Sequence, residues 1–361
     1  MLELKSVEKV LGAETHIYPT DLLLERGSFN ILLGTTLAGK TTLMQLMAGL
    51  ERPTSGEVWF NGKNVTGVAV QKRNVSIVYQ QFINYPNMTV FENIASPLRV
   101  ARMSKTEIEK RVGTLAELLR ISPMLDRRPM ELSGGQQQRA AIARALAKDS
   151  EMILLDEPLA NLDFKLREEL RDELPRFFQE RDCVVVYATT EPTEALLFGG
   201  KTAAMHEGKV IDFGPTGKTY RKPASLLAAK VFSEPPINTA TVSKRGDRFI
   251  LNEQVQWSVP GDLLRLSDGP YTVGIRPHHV ATARHGETPV AVKGTVRIAE
   301  LSGSESIIHF DAYGNSWVSL SDGVHPLDIG EEATLYADVS KCLYFDSDDL
   351  LVNGVAERGS A

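Results

Sequence analysis

The stretch Gly34-Thr35-Thr36-Leu37-Ala38-Gly39-Lys40-Thr41-Thr42 constrains this 361-residue chain more than any other. It fits G-x-x-x-x-G-K-[ST], a loop that cradles phosphates through backbone N–H groups. The apolar run Phe29–Leu33 before it reads as a strand, and Lys40 to Ala48, with Leu43, Leu46 and Met47, reads as a helix. A helix N-terminus carries unpaired N–H groups and the positive end of a dipole, so it holds an anion. Gly34 and Gly39 let the backbone curl, Lys40 adds a cation near the terminal phosphates, and Thr41 offers a hydroxyl to Mg²⁺. The plainer alternative is a glycine-rich strand-turn-helix with no ligand. The flanks and the downstream motifs favour the phosphate loop.

Length predicts two domains, since single cores stop growing near 250–300 residues. A net charge of −6 argues against a general nucleic-acid binder. The two cysteines, Cys183 and Cys342, suit a reducing compartment and supply neither a disulfide framework nor a metal cluster. Met1-Leu-Glu-Leu-Lys shows no apolar signal core, and no run approaches the ~20 apolar residues of a membrane span. Work at a membrane would therefore go through docking to other subunits.

Alternation of apolar and polar positions over 2–33 predicts antiparallel strands leading to the loop. Val58-Trp-Phe60 runs into Asn61-Gly62, a hairpin turn, and Val75–Tyr79 forms a short strand ending at Gln80. Residues 88–147 read as mostly helical. Thr89 with Glu92 forms a capping box, and Ser104 caps a helix with Ile108, Val112, Leu115, Leu118 and Leu119 on one face. Leu132-Ser133-Gly134-Gly135-Gln136 precedes an alanine-rich helix, and Met152-Ile-Leu-Leu155 is an apolar strand ending in Asp156-Glu157. Such a strand sets carboxylates at the carboxyl edge of a sheet, beside the phosphate loop.

In this order and spacing the pieces resemble the signature set of the ATP-binding cassette (ABC) ATPases, within the branch serving carbohydrate and polyol importers. The fold implied is an α/β P-loop cassette over 1–235, with a helical subdomain at about 88–147. An all-β OB-type (TOBE-like) domain over 236–361 follows. The resemblance implies binding and hydrolysis of ATP with Mg²⁺. Residues 34–42 would hold the phosphates, with Leu11 against the base, and Thr41, Gln80 and Asp156 would hold the metal. Glu157 would polarise the attacking water, with Lys40 and Gln80 in the catalytic set. Ser133, Gly134, Gly135 and Gln136 would grip the nucleotide of a second ATPase subunit, and Leu162-Asp163 resembles the D-loop between the two. The resemblance further implies two transmembrane permease subunits, a periplasmic substrate-binding protein acting indirectly, and a place at the cytoplasmic face of a bacterial inner membrane.

Three positions depart from the family pattern. Thr190 stands where a histidine usually meets the γ-phosphate, and a lost transition-state contact typically costs about 10²–10³ in rate. Leu11 stands where an aromatic often stacks on adenine, with Tyr18 nearby as a substitute. Leu37 stands where the loop often has a third glycine, so the cradle survives only if Leu37 tolerates the dihedrals required there. The reading is a heterodimer with a related ATPase in which this chain's own site is slow. A homodimer with two weakened sites is the alternative, and drift in an active enzyme is the plainest explanation.

Beyond Glu234-Pro235-Pro236 short strands alternate with turns, as in Val292–Ile298, Ser306–Phe310 and Thr334–Tyr336, which predicts a small barrel. Gly274-Ile-Arg-Pro-His278 resembles an element of the regulatory domain of carbohydrate-importer ATPases. No interleaving of basic and aromatic residues suggests nucleic-acid binding there, and His278-His279 reads as a surface pair without ligand partners. Glu14–Thr20, Val70–Asn74, Gln80–Tyr85 and Thr189-Thr190-Glu191-Pro192 are most similar to glycerol-importer ATPases. The other functional classes are an ABC switch that transports nothing and a degenerate structural cassette.

Overall fold

A computed structural model describes residues 1–352 except Phe82, which falls within the Gln80–Tyr85 stretch, and Glu180. The chain divides into two compact units, 1–217 and 218–361.

In the first unit β1 (Leu2–Leu11) and β2 (Glu14–Leu24) form an antiparallel hairpin. Next come β3 (Phe29–Leu33), the loop, and α1 (Lys40–Ala48). β4 (Ser55–Phe60) and β5 (Lys63–Asn64) meet at the Asn61-Gly62 turn and extend the first sheet to β2-β1-β4-β5. The predicted antiparallel run over 2–33 thus stops at β2. All five positions of β3 are buried, so it lacks the period-two pattern of a one-sided strand. It lies inside a second sheet, between parallel neighbours.

That sheet contains β6 (Val75–Val78), β7 (Met152–Asp156), β8 (Val184–Thr189), β9 (Lys201–His206) and β10 (Lys209–Pro215), in the order β10-β9-β3-β8-β7-β6. β3 pairs in parallel with β8 and β9, and β7 with β6 and β8. The carboxyl ends of β3, β7 and β8 therefore share one edge, where the loop and the two acids emerge. One apolar core joins Leu4, Val7 and Ile17 of the first sheet to Leu32, Leu43, Met47, Leu154 and Val186.

Three helices make the lobe: α2 (Val90–Val100), α3 (Lys105–Leu118) and α4 (Gly134–Ala147). Each begins with a capping box, Thr89 with Glu92, Ser104 with Glu107, and Ser133 with Gln136. On α3, Ile108, Val112 and Leu115 are buried, as is Leu119 just beyond it. α5 (Phe164–Gln179) follows β7, and α6 (Pro192–Phe198) follows β8.

The second unit starts at Lys218, earlier than the boundary expected at 235/236. The reason is packing: Leu226 and Ala229, on a short helix, pack with Ile237, Leu343 and Phe345. Two five-stranded antiparallel sheets share one core containing Phe249, Trp257, Phe310, Leu335 and Tyr344, the expected OB-type arrangement. The stretches 292–298, 306–310 and 334–336 lie in strands Pro289–Leu301, Glu305–Ala312 and Glu332–Asp338. His278 is exposed, and its ring centroid lies 4.2 Å from that of His279.

Candidate functional site: a cleft at the sheet edge

The loop's two glycines are dictated by close approach. A Cβ on Gly34 would lie 2.5 Å from the Met205 carbonyl oxygen and 2.8 Å from Ala38 Cβ. One on Gly39, at φ +98°, would lie 2.9 Å from Ile17 Cδ1. Leu37 answers the question its sequence position posed. It adopts φ +69°, in the left-handed region, with its side chain 93% exposed. That conformation costs a non-glycine residue about 1–2 kcal/mol, so the cradle is kept at the expense of local strain.

Lys40 is 5% exposed, and its ammonium donates to the carbonyls of Gly34 (2.8 Å) and Thr35 (3.1 Å). It also pairs with Glu157 at 3.3 Å. Gln80 Nε2 donates to the other Glu157 oxygen at 3.1 Å, and the Glu157 N–H donates to Ala188 O at 3.0 Å. Glu157 itself sits at φ +45°, at the sharp exit from β7. Thr41 Oγ1 donates to Asp156 Oδ2 at 2.7 Å. Burial raises the Asp156 pKa and neighbouring Glu157 adds to it, while the Thr41 hydroxyl and Lys40 oppose the rise. Two contact groups therefore lie side by side at the loop: Lys40 and Gln80 on Glu157, and Thr41 on Asp156.

Between this set and β2 opens a cleft of about 520 Å³, lined by residues 36–42, Gln80, Glu157, Glu14, His16, Tyr18, Glu207 and Gly208, among others. Leu11 is not on its wall. It lies at the tip of the β1–β2 hairpin opposite Glu14, 48% exposed. Aromatic surface comes instead from β2, whose His16 and Tyr18 both line the cleft. Lys209 Nζ lies 4.5 Å from the Tyr18 ring centroid. Thr190 is half-buried just past β8 and is likewise not among the lining residues.

Oxygen donors here suit Mg²⁺. The Thr41 hydroxyl and the Asp156 carboxylate are in contact, and Gln80 adjoins them through Glu157. Among the described residues no cluster of three or more His, Cys, Asp or Glu could enclose a metal. A magnesium ion that keeps waters and phosphate oxygens needs only one or two protein oxygens, so the donor set fits.

On the lobe, Ser133 Oγ accepts from Gln136 N at 3.4 Å, and Gln136 Oε1 accepts from Ser133 N at 3.0 Å. Gly134 and Gly135 thus open α4 with first-turn N–H groups free for an anion. Added bulk on Gly135 would come 3.2 Å from Asn161 O. Asp163 Oδ1 accepts from Leu166 N at 3.0 Å, fixing the start of α5.

Sequence reasoning assigned no role to a buried network behind the cleft. Thr189 Oγ1 (2.6 Å) and Tyr187 OH (3.0 Å) both donate to Glu194 Oε2, and Arg171 Nη2 approaches Glu194 Oε1 at 3.4 Å. Burial raises the Glu194 pKa. The signal was Glu194 three residues after Glu191, but nothing in the sequence says that both turn toward one helix.

Known proteins place the geometry in context. The ABC transporter family profile matches residues 18–160, and that of the TOBE domain matches 273–345. The chain is 34% identical over 351 residues to the sn-glycerol-3-phosphate import ATP-binding protein UgpC of Pectobacterium atrosepticum, covering 96% of this chain and 97% of that one. The protein of the same name from Salmonella typhimurium is 36% identical over 311 residues, 85% of this chain and 87% of that one. A dimeric structure of the ATP-binding cassette MJ0796, in a post-hydrolysis state bound to ADP and Pi, matches with a TM-score of 0.55 and 29% identity. It covers 60% of this chain and 99% of that one.

Proposed function

This chain belongs to the ABC transporter family and is an ATPase subunit of an importer, and we propose that it powers uptake of a three-carbon polyol of the glycerol class. The observation that carries the ATPase assignment to named residues is two adjoining contact groups at one sheet edge, Lys40–Glu157–Gln80 and Thr41–Asp156. Lys40 and the N–H groups of Gly34–Thr42 would bind the triphosphate, with His16 and Tyr18 toward the base and Leu11 at the rim. Thr41, Asp156 and Gln80 would hold Mg²⁺, which when bound supplies charge neutralisation at the phosphate oxygens. Glu157 would orient and polarise the attacking water. It leaves Lys40 for this role, because the ammonium is the natural partner of the terminal phosphates.

Ser133 to Gln136 would hold the nucleotide bound by a second ATPase, with Asp163 at the junction. Thr190 cannot supply a histidine's charge, which favours a heterodimer whose partner carries the faster site. A cleft of about 530 Å³ between β6 and the lobe would seat a short permease helix. Its wall includes Ile77, Tyr85, Met88, Pro97 and Val100, the last 84% exposed. No helix among the described residues is long and apolar enough to cross a membrane, so permeases would supply the path. The subunit would then sit at the cytoplasmic face and meet the periplasmic binding protein only through them.

Purification from membranes with its operon-encoded partners tests the assembly: two permeases and a second ATPase are expected, and self-association alone removes the heterodimer. In that complex Thr190→His should raise turnover at this site by about 10-fold or more if the lost contact limits it. No rise sinks that role for position 190. Uptake of glycerol with and without competing sn-glycerol-3-phosphate assigns the cargo, and transport of neither removes the polyol proposal.

A further inference from the structure

The segment between β8 and α6 has unusual anchorage. The Ala188 carbonyl accepts from the Glu157 N–H (3.0 Å), and the Thr189 carbonyl accepts from the Gly34 N–H (3.3 Å). The Thr189 hydroxyl accepts from Glu191 N (3.0 Å) while donating to Glu194 (2.6 Å). Any displacement of residues 188–191 is therefore transmitted to the backbone of the water-polarising acid and to the first residue of the phosphate loop. What fixes this segment from the far side is α5. Arg167 and Arg171, four residues apart on one helix face, both reach Glu191. Arg167 Nη1 meets Glu191 Oε1 at 3.0 Å, while its Nη2 meets the carbonyls of Ala160 (3.1 Å) and Leu162 (3.4 Å). Those two carbonyls flank the start of the D-loop pair Leu162-Asp163.

We infer that Arg167 and Glu191 are a positioning pair for hydrolysis, tying the D-loop backbone to the segment that orients Glu157 and the phosphate loop. A guanidinium suits this task, since its planar fork satisfies a carboxylate and backbone carbonyls at once, which an ammonium does not. Both partners are partly shielded, Arg167 at 25% and Glu191 at 33% side-chain exposure, so salt screens the pair less than a surface bridge. Position 190 carries no histidine to pin the segment from the nucleotide side, and the pair pins it from behind. This inference rests on Glu157 acting at the nucleotide. It does not require a heterodimer.

The test uses the assembled complex with Mg²⁺-ATP and the variants Arg167→Ala, Arg167→Lys, Glu191→Gln and Arg167→Ala/Glu191→Gln. Arg167→Ala and Glu191→Gln should each lower kcat about tenfold or more, with KM within about twofold and Tm within a few degrees. Arg167→Lys should fall between wild type and Arg167→Ala, and the double variant should be no worse than the poorer single one. Retained kcat overturns the inference. So does a loss seen only in KM, losses that multiply, or losses that track Tm. Ser133→Ala is run beside them. If it leaves turnover unchanged while Arg167→Ala lowers it, the shared-site reading fails and the positioning pair stands. If Ser133→Ala lowers turnover and the Arg167 variants do not, the pair fails and the shared site stands.

Discussion

Asp156→Asn separates what the fold tolerates from what the site requires. Asp156 is 4% exposed at the end of β7, and burial raises its pKa. A folded pKa above the unfolded value of about 3.9 fixes the sign. The group's stabilisation is fully present below that unfolded value and is lost as pH rises through the folded one. At pH 7 the ionised carboxylate therefore works against folding of the nucleotide-free chain. Asparagine removes that charge and its repulsion from Glu157, and its amide oxygen can still accept the Thr41 hydroxyl now at 2.7 Å. Relief of about 1–2 kcal/mol is expected, the scale of a poorly compensated buried polar group. For a unit of 217 residues that is a rise in Tm of roughly 2–8 °C. The gap should narrow as pH falls through the raised pKa and the wild-type acid takes up its proton. Mg²⁺-ATP should behave oppositely. Saturation at 100 times Kd stabilises the wild type by about 2.7 kcal/mol, roughly 5–11 °C, and the Mg²⁺-dependent part of that shift should vanish in the variant. Calorimetry with and without EDTA from pH 4 to 8 reads both effects. A nucleotide-free variant that melts lower than wild type at pH 7, or a gap that ignores pH, would refute the reasoning.

Three further outcomes follow from single contacts. Gly34→Ala sets a methyl 2.5 Å from a backbone oxygen and should destabilise the first unit by about 1–3 kcal/mol while abolishing the ATP-dependent shift; calorimetry reads both. Leu37→Gly relieves a left-handed strain of about 1–2 kcal/mol but adds about 0.5–1 kcal/mol of unfolded-state entropy, so Tm should hold or rise slightly. ATP affinity by fluorescence titration should stay within about threefold. Tyr344→Phe removes the hydroxyl that accepts from Trp257 Nε1 at 2.7 Å inside the β unit, and denaturant unfolding of that unit should lose about 1–3 kcal/mol.

The phosphate loop, the acid pair and the helix caps at Thr89 and Ser104 were legible because each is a local pattern: a spacing, a composition, or a Ser/Thr at the head of an apolar-periodic run. The placement of β3 was not, since a strand buried on both faces loses the alternation that marks pairing type. The second unit's start at 218 escaped for a related reason. The helix Leu226–Val231 reads as cassette by sequence, and only its contacts with Ile237, Leu343 and Phe345 assign it elsewhere. Leu11 was nominated by linear position, whereas the hairpin carries it past the cleft and turns His16 and Tyr18 inward. Arg167 and Glu191 lie 24 residues apart and meet only because α5 packs beside the β8–α6 connection, while Thr189 meets Glu194, five residues on, through the turn of that connection itself. No periodicity encodes such a meeting.

Each polar group named at the site has a partner within the protein, and this shapes how a ligand would act on it. Lys40 has two carbonyls and Glu157, Glu157 has Lys40 and Gln80, and Asp156 has Thr41. A triphosphate therefore adds no partner to a vacant group; it exchanges one partner for another. The exchange is uneven. Lys40 would give up a single carboxylate for phosphate oxygens of higher charge, a gain. Glu157 would give up its cation and keep Gln80, which would leave a partly buried carboxylate short of one hydrogen-bond donor. A water positioned between Glu157 and the terminal phosphate meets that need. On the proposed reading, the same step that secures the nucleotide would free the acid to hold that water, and Gln80, hydrogen-bonded to the acid just past the carboxyl end of β6, would register the change at the edge of the helical lobe.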